Sequence, residues 1–233
     1  MKSLPKIDAI IFDLDGTLLD SLQDIANSMN LALEESGYPT HPLEAYRTFV
    51  GNGFKVLVQK ALPADKNNEK EIQKMVKKFA EKYEENWFVE TKPFMGILHL
   101  IRTCVARKVK LAILSNKSHY FTKKMIRQYF RGAMINQGKN PFGIYTGAHD
   151  DKPLKPDPTL ALELAERLKV PAGNIALVGD SPVDMQTAKN AGMIAIGAAW
   201  GFSGREALEN AGADYVLDSP VELSTHLDQF PLV

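Results

Sequence analysis

The 233-residue sequence contains one cysteine, no excess of charge of either sign and no long apolar run. A single cysteine, Cys104, excludes a disulfide within the chain and fits a reducing compartment. The 28 basic and 28 acidic side chains cancel, so no overall field draws the chain to nucleic acid or anionic lipid. No stretch approaches the ~20 apolar residues of a membrane span. We therefore expect a cytoplasmic protein that binds neither nucleic acid nor membrane.

Short apolar runs do occur, and they alternate with segments of helical periodicity. Continuous apolar runs of this length are typical of strands buried in a parallel sheet. The predicted strands are 9–13, 109–115, 143–147, 175–180, 192–197 and 213–217. The predicted helices between them are 94–107, 119–131, 157–169, 182–191 and 204–211. This alternation predicts an α/β fold with a doubly wound, mostly parallel sheet and a Rossmann-like core.

One stretch interrupts the alternation, because residues 20–90 contain no convincing strand. Apolar residues recur there at helical spacing. The amphipathic segments are 22–33, 43–50, 54–62 and 72–87. We therefore predict an α/β core formed by 1–19 and 91–233, with an all-helical cap domain of residues 20–90 inserted after the first strand. The segment 131–142 lacks periodicity and is expected to be a surface loop.

Polar residues follow the predicted strands at their carboxyl ends, where ligands collect in an open α/β sheet. They are Asp13, Asp15, Thr17, Ser115, Asn116, Lys155, Asp180 and Asp184. Four aspartates and one lysine have a net charge of −3, and such a cluster repels itself unless a cation joins it. Ligands that are all oxygen favour a hard ion, and a few carboxylates suit Mg²⁺. A metal, a lysine and small hydroxyl donors are together the equipment of phosphoryl transfer.

The residues leave several roles open at this point. Asp13 could be a metal ligand only, or a nucleophile that forms an aspartyl phosphate. Asp15 could protonate the leaving oxygen and later activate water. Asp184 could instead be an ordinary first-turn acid that stabilises a helix N-terminus. The pattern therefore indicates phosphoryl transfer but does not by itself assign the roles of Asp13, Asp15 and Asp184.

The predicted cap offers a second set of candidates. Gly51, Asn52 and Gly53 lie between two predicted helices, either as a helix–helix turn or as a loop that meets substrate. Arg47 and Lys55 flank them and could meet a substrate carboxylate, although solvated surface cations are the simpler interpretation. We name all five as candidate substrate contacts.

Four short motifs give the sequence a family resemblance. They are DLDGT at 13–17, SN at 115–116, KP at 155–156 and GDSPVD at 179–184. In order and spacing they resemble the four motifs of the haloacid dehalogenase-like superfamily, and the resemblance runs from about residue 7 to residue 217. A helical insert directly after the first motif is similar to that superfamily's cap domain in its first insertion position.

The resemblance implies a role for each matching residue. It implies that Asp13 is the nucleophile and that Asp15 is the general acid/base, whose backbone carbonyl also binds Mg²⁺. Asp13 and Asp180 would be metal ligands, and Asp184 would hold metal-bound water or bind the metal itself. The residues implied to bind or support the phosphoryl oxygens are Ser115, Lys155, Asn116 and Thr17.

The segment FVGNGFKVLVQKAL, residues 49–62, is similar to the phosphoglycolate phosphatase group. The resemblance therefore implies an Mg²⁺-dependent hydrolase of a small phosphate monoester, with 2-phosphoglycolate preferred, acting as a monomer or homodimer. A pyrophosphatase or a sugar phosphomutase of the same superfamily is the alternative. A receiver-type phospho-acceptor domain is the alternative from another class, but such a domain has of order 100–150 residues and no helical insert after its first strand.

Overall fold

The computed structural model describes residues 5–130 and 140–228, and its main feature is one large sheet with helices on both faces. The strands are β1 Ala9–Phe12, β2 Leu19–Asp20, β3 Lys92–Pro93, β4 Lys110–Ser118, β5 Ile144–Ala148, β6 Ile175–Gly179, β7 Ile194–Ala198 and β8 Tyr215–Leu217. The helices are α1 Leu22–Glu34, α2 Leu43–Phe49, α3 Gly53–Ala61, α4 Glu69–Asn86, α5 Ile97–Ala106, α6 His119–Tyr129, α7 Thr159–Leu168, α8 Pro182–Asn190, α9 Arg205–Asn210 and α10 Pro220–Asp228. Of the predicted loop 131–142, residues 131–139 lie outside the described residues.

The large sheet has six strands in the order β5-β4-β1-β6-β7-β8, and every neighbouring pair is parallel. The first strand is therefore central, and the chain winds outward from it on either side. The predicted doubly wound α/β fold is confirmed. In the register of β1, Phe12 lies opposite Ile113 of β4 and Val178 of β6. Asp13, Ser115 and Asp180 come one or two positions after these three residues and therefore lie at nearly the same level.

The side chains of β1 alternate between two apolar layers, as strand geometry requires. Ile10 and Phe12 pack in the layer that contains α5 and the four helices between β2 and β3. Ala9 and Ile11 pack in the opposite layer, against α7 and α8. All four side chains are fully buried. The central strand thus has no solvated face, which is why its sequence is continuously apolar.

The helices α1–α4 form one insert between β2 and β3, and we call them the helical insert. The chain leaves and re-enters through a short antiparallel ribbon, in which Leu19 pairs with Pro93. Asp24 of α1 reinforces this junction: its carboxylate accepts hydrogen bonds from the Glu90 amide (2.9 Å) and from the Thr91 amide and hydroxyl (2.9 and 2.6 Å). The domain boundaries at 20–90 stay a prediction.

The structure extends one predicted strand and adds one helix. The strand predicted over 109–115 extends to Ser118, because pairing with β5 resumes after an irregularity at Ser118 and Ala148. Three consecutive polar residues of this strand, Ser115, Asn116 and Lys117, are all buried. The helix α10 follows the last predicted strand and was absent from the prediction. In residues 5–130 and 140–228, no helix is both long and apolar enough to cross a membrane.

Candidate active site

The loop after β1 places the first aspartate at the edge of the sheet. The Asp13 amide still donates to the carbonyl of Val178 (2.9 Å), so the strand pairing fixes its position. The chain then turns at Gly16, whose φ is +82°. A Cβ there would lie 2.1 Å from Asp180 Oδ2, which excludes any other residue. The indole of Trp200 donates to the carbonyl of Thr17 (2.9 Å) and holds the end of the turn.

Three buried carboxylates meet beside this turn. Asp13, Asp180 and Asp184 each present one oxygen, and these oxygens all lie within 4.8 Å of one another. Asp180 accepts from the Thr17 hydroxyl (3.0 Å) and from the Phe202 amide (2.9 Å). These donors are uncharged, so they do not neutralise the three carboxylates. Clustered carboxylates of this kind favour the binding of a cation.

Asp184 stabilises the N-terminus of α8, as one of the two sequence interpretations predicts, and it also contacts Lys155. It stands in the first turn of α8, where its Oδ2 accepts from the amide (3.1 Å) and hydroxyl (2.6 Å) of Ser181. The two residues form a reciprocal capping box. The other oxygen, Oδ1, lies 2.6 Å from Lys155 Nζ. The helix cap therefore orients Asp184 toward the site.

Lys155 is the cation of this cluster. Its ammonium is buried, 3.0 Å from Asp13 Oδ1 and 2.6 Å from Asp184 Oδ1. Its backbone amide donates to Asn116 Oδ1 (2.9 Å), and the Asn116 amide group donates back to the Lys155 carbonyl (3.2 Å). Asn116 thus fixes the loop from which the lysine side chain reaches the aspartates.

The pKa shifts have the signs that this charge imbalance requires. Burial raises the pKa of Asp13 to about 7, and the Asp184 charge adds to that shift, although Lys155 opposes it. Burial, with the charges of Asp184 and Asp13, also raises the pKa of Asp180. Burial alone would lower the pKa of Lys155, but its two aspartate partners outweigh burial and the net shift is upward. One ammonium does not satisfy three buried carboxylates.

The donor set fits a hard divalent cation. Its ligand atoms are all oxygens, which is the preference of Mg²⁺ and Ca²⁺. Although Lys155 forms an ion pair with Asp13, the Oδ1 atom of Asp13 accepts no hydrogen bond of good geometry and is fully buried. A buried, unsatisfied carboxylate oxygen is costly, and a cation bound by Asp13, Asp180 and Asp184 would satisfy it.

A small cavity opens from the acidic cluster toward the helical insert. Its volume of about 40 Å³ has room for about three water molecules. The sheet edge contributes Asp13, Asp15, Ser115, Asn116 and Lys117, and the insert contributes Ile25, Val50, Gly51, Gly53, Phe54 and Leu57. A ligand in this cavity would therefore lie between a polar wall and an apolar one.

The predicted cap candidates divide into two groups. Gly51 and Gly53 line the cavity, and the Gly51 carbonyl accepts from the Asn116 side chain (3.1 Å). Asn52 forms the N-cap of α3 without a side-chain hydrogen bond and does not line the cavity. Arg47 and Lys55 also lie outside it, where they are largely exposed and paired with Glu44 (2.8 Å) and Glu69 (3.0 Å).

The structure adds Lys117, which was not among the predicted site residues. Its buried ammonium lies 2.9 and 3.1 Å from the two carboxylate oxygens of Asp15, and 2.8 Å from the hydroxyl of Tyr83 in α4. Asp15 also accepts from the Ser21 hydroxyl (2.6 Å). A signal for Lys117 was present, because residues two apart on a strand share a face and Ser115 was already a candidate.

A sequence profile described as haloacid dehalogenase-like hydrolase matches residues 10–198, which is most of the chain. The chain belongs to the haloacid dehalogenase-like hydrolase family. The family predicted from the four motifs is thus confirmed, and the match runs from β1 through the helical insert to the end of β7.

The relatives point to one group within that family. The chain is 30% identical to a phosphoglycolate phosphatase of Nitrosospira multiformis over 87% of this chain and 88% of the relative. It is also 30% identical to a phosphoglycolate phosphatase of Aquifex aeolicus over 94% and 96%, respectively. The crystal structure of a predicted phosphoglycolate phosphatase from Haemophilus somnus superposes with a TM-score of 0.84 at 25% identity, covering 96% of this chain and 99% of that one. These relatives support a phosphoric monoester hydrolase, as the sequence predicts.

Proposed function

We propose that this hydrolase is an Mg²⁺-dependent phosphatase that acts through an aspartyl phosphate on Asp13, with 2-phosphoglycolate as its substrate. The observation that most supports this proposal is the convergence of three buried carboxylates, those of Asp13, Asp180 and Asp184, beside a single ammonium group, that of Lys155, which pairs with Asp13 and Asp184. A bound Mg²⁺, held by these carboxylates and the Asp15 carbonyl, would neutralise charge on the phosphoryl group. The relatives that are named phosphoglycolate phosphatases support the choice of substrate. The arrangement of the aspartates and Lys155 supports the chemistry.

The first step transfers the phosphoryl group to the protein. An oxygen of Asp13 attacks phosphorus in line, the new O–P bond forms, and the bond to the departing alcohol oxygen breaks. Asp15 delivers a proton to that oxygen, so the product leaves as a neutral alcohol. Ser115, supported by Asn116 and Thr17, would bind the phosphoryl oxygens while Lys155 lies beside Asp13.

The second step regenerates the protein. Asp15, now a carboxylate, accepts a proton from water as that water attacks the phosphorus of the aspartyl phosphate. The bond between phosphorus and the Asp13 oxygen breaks, and inorganic phosphate leaves. Asp13 cannot perform this proton transfer because it is the leaving group of the same step. The two aspartates therefore divide the work.

The helical insert, as the cap of residues 20–90, would close over the bound ester. Its contribution to the cavity is apolar apart from the backbone of Gly51 and Gly53. An apolar wall excludes bulk water from the aspartyl phosphate and limits the size of the alcohol. A limit on the size of the alcohol would favour a short ester such as 2-phosphoglycolate.

The test is phosphate release with Mg²⁺ from 2-phosphoglycolate, pyrophosphate, sugar phosphates and nucleoside monophosphates. We expect the highest kcat/KM for 2-phosphoglycolate. Preference for another ester would overturn this substrate and leave the phosphatase in place. Return of the phosphoryl group to a second sugar hydroxyl would indicate a phosphomutase, and a stable aspartyl phosphate without turnover would indicate a receiver-type domain. Absence of Mg²⁺-dependent phosphate release from every ester would contradict the proposal as a whole.

A further inference from the structure

Lys117 joins Asp15 to the helical insert, and we propose that it is a positioning residue for proton transfer. In this proposal Lys117 fixes the Asp15 carboxylate toward the cavity, and it does so when Tyr83 of the insert is docked against it. The inference rests on the proposed function, because it requires Asp15 to be the group that transfers the proton.

The contact between Lys117 and Asp15 is close and shielded. The ammonium lies 2.9 and 3.1 Å from the two carboxylate oxygens, and the lysine side chain is only 2% exposed. A buried ammonium without a partner would be strongly unfavourable, so this pair is held firmly. The Ser21 hydroxyl donates to the same carboxylate at 2.6 Å. Asp15 is therefore restrained from two sides.

The second partner of the Lys117 side chain belongs to the helical insert. The Tyr83 hydroxyl lies 2.8 Å from the ammonium, and the ammonium also lies 4.5 Å from the centre of the Tyr83 ring. Both the hydrogen bond and the cation–π contact connect β4 to α4. If the insert moves away, Lys117 loses these contacts and gains water, and its restraint on Asp15 weakens. Proton transfer thus becomes effective only beneath a docked insert.

The same interface contains a matched control. Lys124 of α6 also contacts the insert, because it pairs with Glu84 and lies 5.2 Å from the centre of the Trp87 ring. Its side chain is 29% exposed, and its partners do not include Asp15. A lysine that merely fastens the insert to the sheet can therefore be compared with one that also contacts the proton-transfer group.

The experiment uses two substrates that differ in their need for an acid. An alkyl phosphate, the best ester of the panel above, requires protonation of its leaving oxygen, whereas p-nitrophenyl phosphate does not. Since kcat/KM reports the steps up to phosphoryl transfer, we expect Lys117→Met to lower it about 100-fold for the alkyl ester, at the low end of acid/base effects. For p-nitrophenyl phosphate we expect less than about threefold. Lys124→Met should affect both esters alike.

Equal losses on both esters in Lys117→Met would show a structural role and overturn the inference. Tyr83→Phe keeps the ring and removes only the hydroxyl, so a folding defect is less of a concern in this variant. We expect it to lower kcat/KM for the alkyl ester about tenfold, a tenth of the effect of Lys117→Met, with little change for p-nitrophenyl phosphate. Equal effects on the two esters in Tyr83→Phe would contradict the link to the insert. Asp15→Asn separates the two proposals. If this variant shows no selective loss of kcat/KM for the alkyl ester, the proposed function is wrong. If it shows that loss while Lys117→Met behaves like the unsubstituted protein, only the inference about Lys117 is wrong.

Discussion

The two walls of the cavity differ in chemistry. The sheet edge presents Asp13, Asp15 and Lys117 together with hydroxyl and amide groups, whereas the helical insert presents Phe54 and Leu57 with other apolar side chains. A charged wall can stabilise and move charge, and an apolar wall can exclude water and limit size. Under the proposed function, the sheet edge supplies the groups that react, and the apolar side chains of the insert limit which substrates fit.

The largest effect is expected on the charged wall, from Asp13→Asn. An amide of nearly the same size should keep the packing but is a far weaker nucleophile than a carboxylate. We expect phosphate release to fall below detection while the thermal unfolding midpoint changes little. Near-normal turnover in this variant would exclude Asp13 as the nucleophile.

The second prediction concerns the charge imbalance on the same wall, where the Lys155 ammonium stands against three buried carboxylates. In the metal-free protein the pKa of Asp13 is raised from 3.8 to about 7. Its contribution to stability is therefore fully present below about pH 4 and is lost as the pH rises through about 7. A bound Mg²⁺ favours the carboxylate form, so Mg²⁺ should raise the unfolding midpoint more at pH 8 than at pH 5.

Thermal unfolding with and without Mg²⁺ at the two pH values measures this difference. Asp13→Asn is the matched control, because it removes the group that titrates, and the pH dependence of the Mg²⁺ effect should shrink in it. An equal Mg²⁺ effect at both pH values in the unsubstituted protein would disprove the role of charge imbalance.

A third, smaller effect is expected on the apolar wall, from Phe54→Ala. The Phe54 ring packs 4.7 Å from Phe79 and 5.8 Å from Phe121, measured between ring centres. Its removal enlarges the cavity without touching the aspartates. The kcat/KM preference for a small ester over a bulkier one should fall about tenfold.

The exposed Phe88 of the same region provides the control, since Phe88→Ala should leave that preference unchanged. If Phe54→Ala instead stopped the reaction for every ester while the fold remained intact, the separation between the two walls would be wrong.

The smallest effects are expected for Arg47→Ala and Lys55→Ala. Each side chain forms an exposed pair outside the cavity, and such pairs contribute about 0–1 kcal/mol. We expect KM for 2-phosphoglycolate to change by less than about twofold. A tenfold rise in KM would show that one of these cations reaches the substrate carboxylate in another arrangement of the insert.

Most of the sheet could be predicted from the sequence, because strands buried on both faces are continuously apolar. The alternation with helices then predicted that Asp13, Ser115 and Asp180 follow parallel strands, and the register of β1 with its neighbours explains why they share one edge. The short ribbon of β2 and β3 was missed because two-residue strands have no periodicity. The helix α10 was also missed, although its buried residues Leu223 and Leu227 stand four positions apart, as on one face of a helix.

Contacts between side chains that are far apart in the sequence could not be predicted from periodicity or spacing. Asp15 stands without a neighbouring cation in sequence, yet its partner Lys117 is 102 residues away. The Tyr83 contact depends on how α4 packs against β4, which periodicity does not encode. The same limit applies to Arg47 and Lys55, whose spacing beside Gly51–Gly53 cannot show which way their side chains point.

The most direct test of the account is to trap the aspartyl phosphate. In Asp15→Asn, p-nitrophenyl phosphate should still phosphorylate Asp13, because its leaving group needs no acid, while hydrolysis lacks its base. Mass spectrometry after rapid quenching should find one phosphoryl group per chain, on the peptide that contains Asp13. The double variant with Asp13→Asn should show none. A phosphoryl group on another residue, or none in Asp15→Asn while the unsubstituted protein releases phosphate, would contradict the account.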